Sequence, residues 1–331
     1  MQSTSICRSS FPPPRLRSSP LLAVLARHKY SLSLIAAAAS WGVATVINKR
    51  AIDEIPPLTL LPIQLTMSVG LLAVLLRAQG VGVNWSPQMR RLGAIGILNP
   101  GVSYALSLLG LVYITASLSV LLWAAEPLMI LALASWFLGD RVTRQLALAS
   151  AIGLGGVVLV VFEGGSHGQL TGITLTLAGV TVCAFYTVVS RKLMVTDSTL
   201  AVVTIQQSCA LLFSLALLGA TFLIGGSTPL PEVSAAAWIS AAVSGMLYYA
   251  VAFWLFLTGL RRIPAGVAAV FINLIPLFGV AAGYALLGER LTGQQWLGAV
   301  LIVVAVGVVV VQQSLDSRRP DLLADGDKSE T

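Results

Sequence analysis

Ten apolar stretches, each near the length of a membrane-crossing helix, alternate with short polar connections along this 331-residue chain. They lie at about residues 31–49, 58–76, 92–110, 115–138, 145–162, 170–190, 199–224, 235–259, 265–287 and 294–311. At ~1.5 Å of rise per residue, roughly 20 mostly apolar residues cross the hydrocarbon of a bilayer. No connection is long enough for a soluble domain. Residues 1–30 and 312–331 are polar, rich in Pro and Ser or in Asp, and read as disordered tails. The pattern predicts an all-α membrane protein of ten transmembrane helices.

An internal repeat organises these stretches. Shifted by 149 residues, "GLVYITASLSVLLWAAEPLMILALASWFLGDRVTRQ" (110–145) lies over "GLRRIPAGVAAVFINLIPLFGVAAGYALLGERLTGQ" (259–294), with 12 identities in 36 positions. The chain therefore divides into a first repeat at 31–162 and a second at 170–311, five helices each. Five is odd, so the second repeat enters the membrane upside down. Inverted repeats are a transporter architecture, with the site expected near the midplane between them.

Composition agrees with a lipid environment: 56% of residues are hydrophobic and 10% charged, against about 25% charged in soluble domains. The net charge of +7 would suggest nucleic acid in a soluble protein. Here the basic residues sit between apolar runs and report topology, so no nucleic-acid partner is expected. The N-terminal side of the bundle holds 17 Lys and Arg; the other side holds 3, Lys49, Arg50 and Arg290. Basic excess marks the cytoplasmic face, which places both termini in the cytoplasm. The expected location is a bacterial plasma (inner) membrane. A plastid membrane is the alternative, because residues 1–30 are Ser- and Arg-rich and the first acid is Asp53, as in organellar transit peptides. The sequon at Asn84 falls on the cytoplasmic side and should stay unmodified.

Three segments carry a resemblance. "SWGVATVINKR" (40–50), "EPLMILALASWFLGDRVT" (126–143) and "IPLFGVAAGYALLGERLT" (275–292) resemble the first helix and the paired hallmark segments of EamA-type members of the drug/metabolite transporter superfamily. The resemblance covers about residues 31–311. It implies ten helices in inverted five-helix repeats, a central cavity lined mainly by helices 1, 3, 4, 6, 8 and 9, and secondary transport, often export of amino acids or related metabolites. The chain departs from symmetry at one position: Ile275 stands where the first repeat has Glu126.

Glu126 lies 11 residues after Thr115 and 13 before Gly139, midway across its span. A carboxylate there costs on the order of 2.5–3.5 kcal/mol, so it faces protein or water rather than lipid. It is the candidate proton carrier and a candidate partner for a substrate amine; the competing reading is a structural, hydrogen-bonded acid. Pro127, Pro276 and Pro100 each remove a helical hydrogen bond and release the carbonyl four residues back, predicting kinks. Released carbonyls at membrane depth are tolerated beside water or neighbouring helices.

Polar and aromatic residues at similar depth are Trp41, Asn99, Tyr104, Trp123, Tyr186, Tyr248, Tyr249, Trp254 and Asn273. Together with Glu126, the set Trp41, Asn99, Tyr104, Trp123, Tyr186, Tyr248 and Asn273 forms the candidate substrate site, since aromatic walls with few polar groups suit small organic ligands. Ordinary helix packing is the competing reading for each alone. Trp85, Trp136, Trp238 and Trp296 lie near helix ends and read as interfacial belt residues. Lys49, Arg50, Asp53 and Glu54 read as a solvated loop cluster in preference to an anion gate. Asp140–Arg141 and Glu289–Arg290 read as turn and C-cap chemistry, and Gly279–Gly283 as close helix packing.

No hydrolase or protease constellation is present, so an enzyme is not expected. Neither is a cofactor: Gly153, Gly155 and Gly156 lie within a helix and make no nucleotide loop. No metal site is expected with two histidines and the unpaired Cys7, Cys183 and Cys209. The expected partners are a small-molecule substrate, the lipid bilayer and a coupled proton, with a homodimer as one assembly. The function read from the chain is secondary-active transport, with export of amino acids or similar compounds first. A multidrug or metabolite permease without proton coupling, and a non-transporting membrane scaffold, are the alternatives.

Overall fold

The computed structural model describes residues 20–83, 85–138, 144–161, 167–192, 198–224, 232–260, 263 and 271–326. Among these residues all regular structure is helical. The helices are α1 (Pro20–Ile52), α2 (Pro57–Ala78), α3 (Pro87–Leu111), α4 (Ala116–Phe137), α5 (Arg144–Val161), α6 (His167–Lys192), α7 (Thr199–Leu223), α8 (Ala235–Gly259), α9 (Ile275–Leu287) and α10 (Gly293–Gly326). Seven of them contain a span long and apolar enough to cross a membrane; the apolar parts of α5, α9 and α10 are shorter, Ala147–Val160, Ile275–Leu287 and Gly293–Val308. The Asp140–Arg141 turn and Asn84 lie outside the described residues.

Helix starts follow local chemistry. Ser86, Thr115 and Ser234 cap α3, α4 and α8, each accepting the amide of the third residue on at 3.1 Å, as short hydroxyl side chains do at N-caps. Two ends depart from expectation. α1 already starts at Pro20 and α10 runs to Gly326, so residues 20–30 and 312–326, assigned to tails from composition, are helical. Pro20 suits a first helical position, and Leu21, Leu22, Ala23, Leu25 and Ala26 all favour helix. Propensity carries the helix past the apolar run.

The interior is built of apolar clusters with polar groups buried among them, and the outer surface is apolar. Gln64, Ser68, Ser103, Thr176, Gln207 and Ser244 are buried, while Leu32, Leu148, Leu212 and Leu277 are each more than 60% exposed. An apolar exterior of this kind suits a lipid solvent. Close helix approach relies on glycine, as is common in membranes. A Cβ on Gly156 would stand 2.7 Å from the Gly298 carbonyl, and one on Gly245 would stand 2.6 Å from Cα of Gln64. Gly279 and Gly283 lie against Val120 and Ser117 of α4, which is the packing their spacing predicts.

Four helices are interrupted at depth. α3 passes through a tight turn at Ile95–Ile97 and a wide, π-type turn at Leu98–Val102, where Asn99 takes extended angles (φ −142°, ψ 117°). α8 has a π-type turn at Met246–Val251. α4 breaks at residues 124–125 and the α9 region at 273–274. The 149-residue shift carries 98–102 to 247–251 and 124–125 to 273–274. Hydrogen bonds at the second pair of breaks match as well. Ala125 N donates to Leu122 O (3.1 Å) and Met129 N to Ala125 O (3.2 Å); Leu274 N donates to Phe271 O (3.0 Å) and Phe278 N to Leu274 O (3.1 Å).

One end of the bundle is tied by charged side chains on free helix ends. Lys49 Nζ donates to Leu111 O (2.7 Å) and Val112 O (3.3 Å) at the C-terminus of α3. Arg50 donates to Leu286 O near the end of α9 (3.0 Å). Glu289 accepts from the amides of Ala116 and Ser117 (2.8 Å each) and from the Ser117 hydroxyl. Glu54 accepts from Ser234 N (2.7 Å) and Oγ (2.8 Å). Cations on C-terminal carbonyls and carboxylates on N-terminal amides satisfy orphan backbone groups and complement the helix dipoles. The cluster read as solvated thus staples α1 to α3, α8 and α9. Glu289 acts beyond its own turn: Gly288 takes the left-handed C-cap conformation (φ 68°), which turns the next side chain onto α4.

Three outcomes follow. Gly245→Ala forces two backbones apart and should cost roughly 1–3 kcal/mol, read as a lower thermal midpoint; Gly155→Ala, with nothing within 4 Å of the new methyl, should not lower it. Glu289→Ala strands the first amides of α4 and should cost about 1–3 kcal/mol in the same assay. The Ser234 amide, then its hydroxyl, hold the Glu54 carboxyl below its ordinary 4.5. A group lowered by folding stabilises fully above its unfolded value and loses that contribution as pH falls through the folded one. Glu54→Gln should therefore flatten the fall in thermal midpoint below pH 4.5.

Candidate functional site

A small cavity lies between α1 and the interrupted helices α3, α4 and α8. Its wall follows the helical period: Thr45 and Asn48 on α1; Tyr104, Ser107, Leu108 and Leu111 on α3; Ser119 and Trp123 on α4; Tyr248 and Tyr249 on α8. Residues three or four apart share a helix face, so each helix offers one polar or aromatic stripe. The free volume is about 20 Å³, room for a water molecule and little more. The aromatic side is continuous. The Tyr104 ring lies 5.5 Å from Trp123, 5.3 Å from Tyr248 and 5.3 Å from Tyr249, and the two α8 tyrosines are 5.1 Å apart. These are tilted and edge-to-face contacts, as ring quadrupoles prefer. The wide turn in α8 is what brings the adjacent Tyr248 and Tyr249 into one wall.

Glu126 continues the α4 stripe, three residues beyond Trp123 and directly after the break at 124–125. It is partly buried. The Cys183 thiol of α6 donates to its Oε1 at 3.3 Å. α6 is held close there, because the Ser103 hydroxyl donates to Gly179 O at 2.8 Å and a Cβ on Gly179 would meet Ser103 O at 2.6 Å.

A polar layer lies behind the wall. Gln64 Nε2 donates to Asn48 Oδ1 (2.6 Å) and to Ser244 Oγ (2.7 Å). Ser68 donates to Gln207 Oε1, and Gln207 Nε2 donates to the Tyr249 carbonyl at 3.1 Å. The widened turn of α8 is thereby anchored to α7. Tyr186 OH donates to Gln206 Oε1 (2.8 Å), whose Nε2 reaches Leu92 O (3.2 Å).

Of the residues expected to form the site, Tyr104, Trp123 and Tyr248 meet at the cavity and Glu126 adjoins it. Trp41 packs instead on Phe253 and Phe256, at 5.3 and 5.8 Å between ring centres. Tyr186 turns to Gln206. Asn99 is buried in the α3 interruption, its Oδ1 without a partner. Asn273 is partly buried in the turn before α9. Pro100 sits in the interruption of α3, and Pro127 and Pro276 follow the breaks at 124–125 and 273–274. Trp254, Trp85, Trp136, Trp238 and Trp296 are exposed. Asn48, Ser107, Ser119, Gln64, Gln207 and Cys183 were not singled out from the sequence. The stripes 41–45–48, 104–107–111 and 119–123–126 were the available signal.

Among the described residues no three His, Cys, Asp or Glu side chains are grouped to hold a metal ion. The chemistry on offer is aromatic surface, neutral donors and acceptors, and one carboxylate. That set can hold a small amphipathic solute and exchange a proton or a cation.

Comparisons with known proteins point the same way. A crystal structure superposes with a TM-score of 0.61 at 16% identity, over 86% of this chain and 97% of its own, a likeness of fold. An uncharacterized transporter of Archaeoglobus fulgidus is 25% identical, covering 82% of this chain and 94% of its own length. A probable amino-acid metabolite efflux pump of Escherichia coli is 25% identical over 82% of this chain and 91% of its own. A probable terminal-alkyne amino-acid exporter of Streptantibioticus cattleyicolor is 25% identical over 76% and 84%. The EamA-like transporter family matches residues 28–162 and again residues 170–311. With both halves matched, this multi-pass membrane protein belongs to the EamA-like transporter family and is a transporter, not an enzyme.

Proposed function

We propose that the protein is a secondary-active exporter of amino acids or closely similar amphipathic metabolites, with Glu126 as the group that carries a coupled proton. The observation that carries this reading is the setting of Glu126. A single carboxylate stands at a helix break beside an aromatic cavity, and its hydrogen-bond partner is a thiol rather than a cation. A fixed cation would hold it ionised; a thiol leaves it able to gain and lose a proton as water reaches it. The amino-acid class is supported by what the Escherichia coli and Streptantibioticus cattleyicolor relatives are named for.

The architecture that goes with this is ten spans in two inverted repeats, 31–162 and 170–311. The helix breaks that coincide under the 149-residue shift support it. The 17-to-3 distribution of basic residues supports cytoplasmic termini and a bacterial plasma membrane. On this reading the Lys49–Glu289 end faces away from the cytoplasm and is the closed side. A permease that moves its solute without a proton is the second reading, favoured by a cavity lining that carries no charged side chain.

In liposomes, the protein should support counterflow of labelled amino acids and their accumulation under a pH gradient. Glu126→Gln should reduce gradient-driven accumulation to the level of empty vesicles while counterflow continues. Accumulation undiminished in that variant would leave the uncoupled permease as the surviving reading.

A further inference from the structure

We propose that Asn48 offers its amide N–H groups to the carboxylate of the transported solute, and that Gln64 and Ser244 fix it in that orientation. The Gln64 NH2 donates to Asn48 Oδ1 at 2.6 Å and to Ser244 Oγ at 2.7 Å. With Ser244 accepting there, its own proton has Ala241 O as an acceptor at 3.2 Å. The Asn48 atom that meets Gln64 is the oxygen. The Asn48 NH2 is then turned away from Gln64, on a residue that lines the cavity. Gln64 and Ser244 are fully buried. Gln64 Oε1 has no hydrogen-bond partner; the contacts of this side chain are made by its NH2, which sets which end of the Asn48 amide meets it.

The rest of the lining here is neutral. Ser107 of α3 lines it and is more than nine-tenths buried; its hydroxyl has no protein partner and lies against Gly179 of α6. No carboxylate is among the lining residues. Lys49, next to Asn48 in sequence, holds its ammonium on Leu111 O, and Leu111 also lines the cavity; the carboxylates of Asp53 and Glu289 stand near that ammonium. A small amphipathic carboxylate would place its anion toward Asn48 and Ser107. Its apolar or amino portion would lie toward the tyrosines, Trp123 and Glu126. The space must widen for such a solute to enter. The inference deepens the transport reading by assigning the polarity of the bound solute, and it rests on that reading only for calling the solute cargo.

The test is direct binding to the full-length purified protein. The probes are leucine, phenylalanine and threonine, each against the amine that lacks only its carboxylate. The wild type should bind the acids at least ~10-fold more tightly than the amines, the scale of a hydrogen bond to a charged acceptor. Asn48→Ala should erase that preference. Asn48→Asp, close to isosteric but acceptor-only when ionised, should reverse it. Ser244→Ala, outside the cavity lining, frees the Gln64 amide to rotate and should reduce the preference in part. Amines bound as tightly as acids by the wild type, no binding of any of the three acids, or an acid preference unchanged in Asn48→Ala and Asn48→Asp would each overturn the proposal. Liposome exchange separates it from the transport reading. Acid binding that depends on Asn48 without any flux would refute transport alone; flux with selectivity indifferent to position 48 would refute this site alone.

Discussion

A backbone amide or carbonyl released from a helix has few partners in an apolar surrounding, and several features of this bundle answer that constraint. The start of α4 presents free amides, and Glu289 covers two of them. The end of α3 presents free carbonyls, and Lys49 covers two. The widened turn in α8 is held at the Tyr249 carbonyl by Gln207. The release in α8 is costly on its own in an apolar medium, so that break and its partner occur together. All these partners come from helices distant in sequence: Lys49 and Glu289 tie helix ends at one end of the bundle, and Gln207 holds the α8 break. The breaks in α3, α4 and α8 fall in a layer beside the cavity-lining residues Tyr104, Trp123, Tyr248 and Tyr249.

The site follows from this layer. An uninterrupted helix shows only side chains to the centre of a bundle. Interrupted ones can turn an adjacent pair such as Tyr248 and Tyr249 into one wall and end a helix segment at a carboxylate such as Glu126. The cavity is close to a water molecule in size, and the Lys49–Glu289 end of the bundle is stapled. The staples are hydrogen bonds between side chains and helix ends, not interlocked packing, and can exchange for water without disrupting a hydrophobic core. That is the kind of contact that a bundle opening by small helix movements would make and break.

Much of this was legible in the sequence, for identifiable reasons. Apolar runs and a 149-residue repeat carry the helices, and Pro100, Pro127 and Pro276 mark three of the four interruptions. The fourth, at Met246–Val251, contains no proline and is visible only by overlay on the first repeat. Tyr104, Trp123 and Tyr248 stand out as chemistry-bearing residues at depth, and they line one cavity; Glu126 stands out too, and lies one turn beyond Trp123, outside that lining. Trp41 also stood out, but its neighbours Phe253 and Phe256 are set by how α1 meets α8, which no local pattern reveals. Arg50, Asp53 and Glu54 are exposed, as a solvated cluster would be, and Gly288 before Glu289 is a left-handed C-cap; what the local pattern hides is the partners of Lys49, Arg50 and Glu289, which lie 62, 236 and 173 residues away. Cys183 gave no signal because a lone cysteine has no spacing. Asn48, Ser107 and Ser119 were concealed by being small and neutral, although each falls on a stripe with a residue that was noticed.

The central claim is that one layer of helix breaks forms a site reached in turn from both sides of the membrane. The most direct measurement is the reactivity of a single cysteine at position 119, introduced as Ser119→Cys in a chain whose three native cysteines are replaced by serine, in sealed vesicles of known orientation. The account predicts modification by a membrane-impermeant thiol reagent added to either side, with the balance between sides shifted by transported solute. Protection from both sides, or reaction from one side only while solute exchange proceeds, would contradict it.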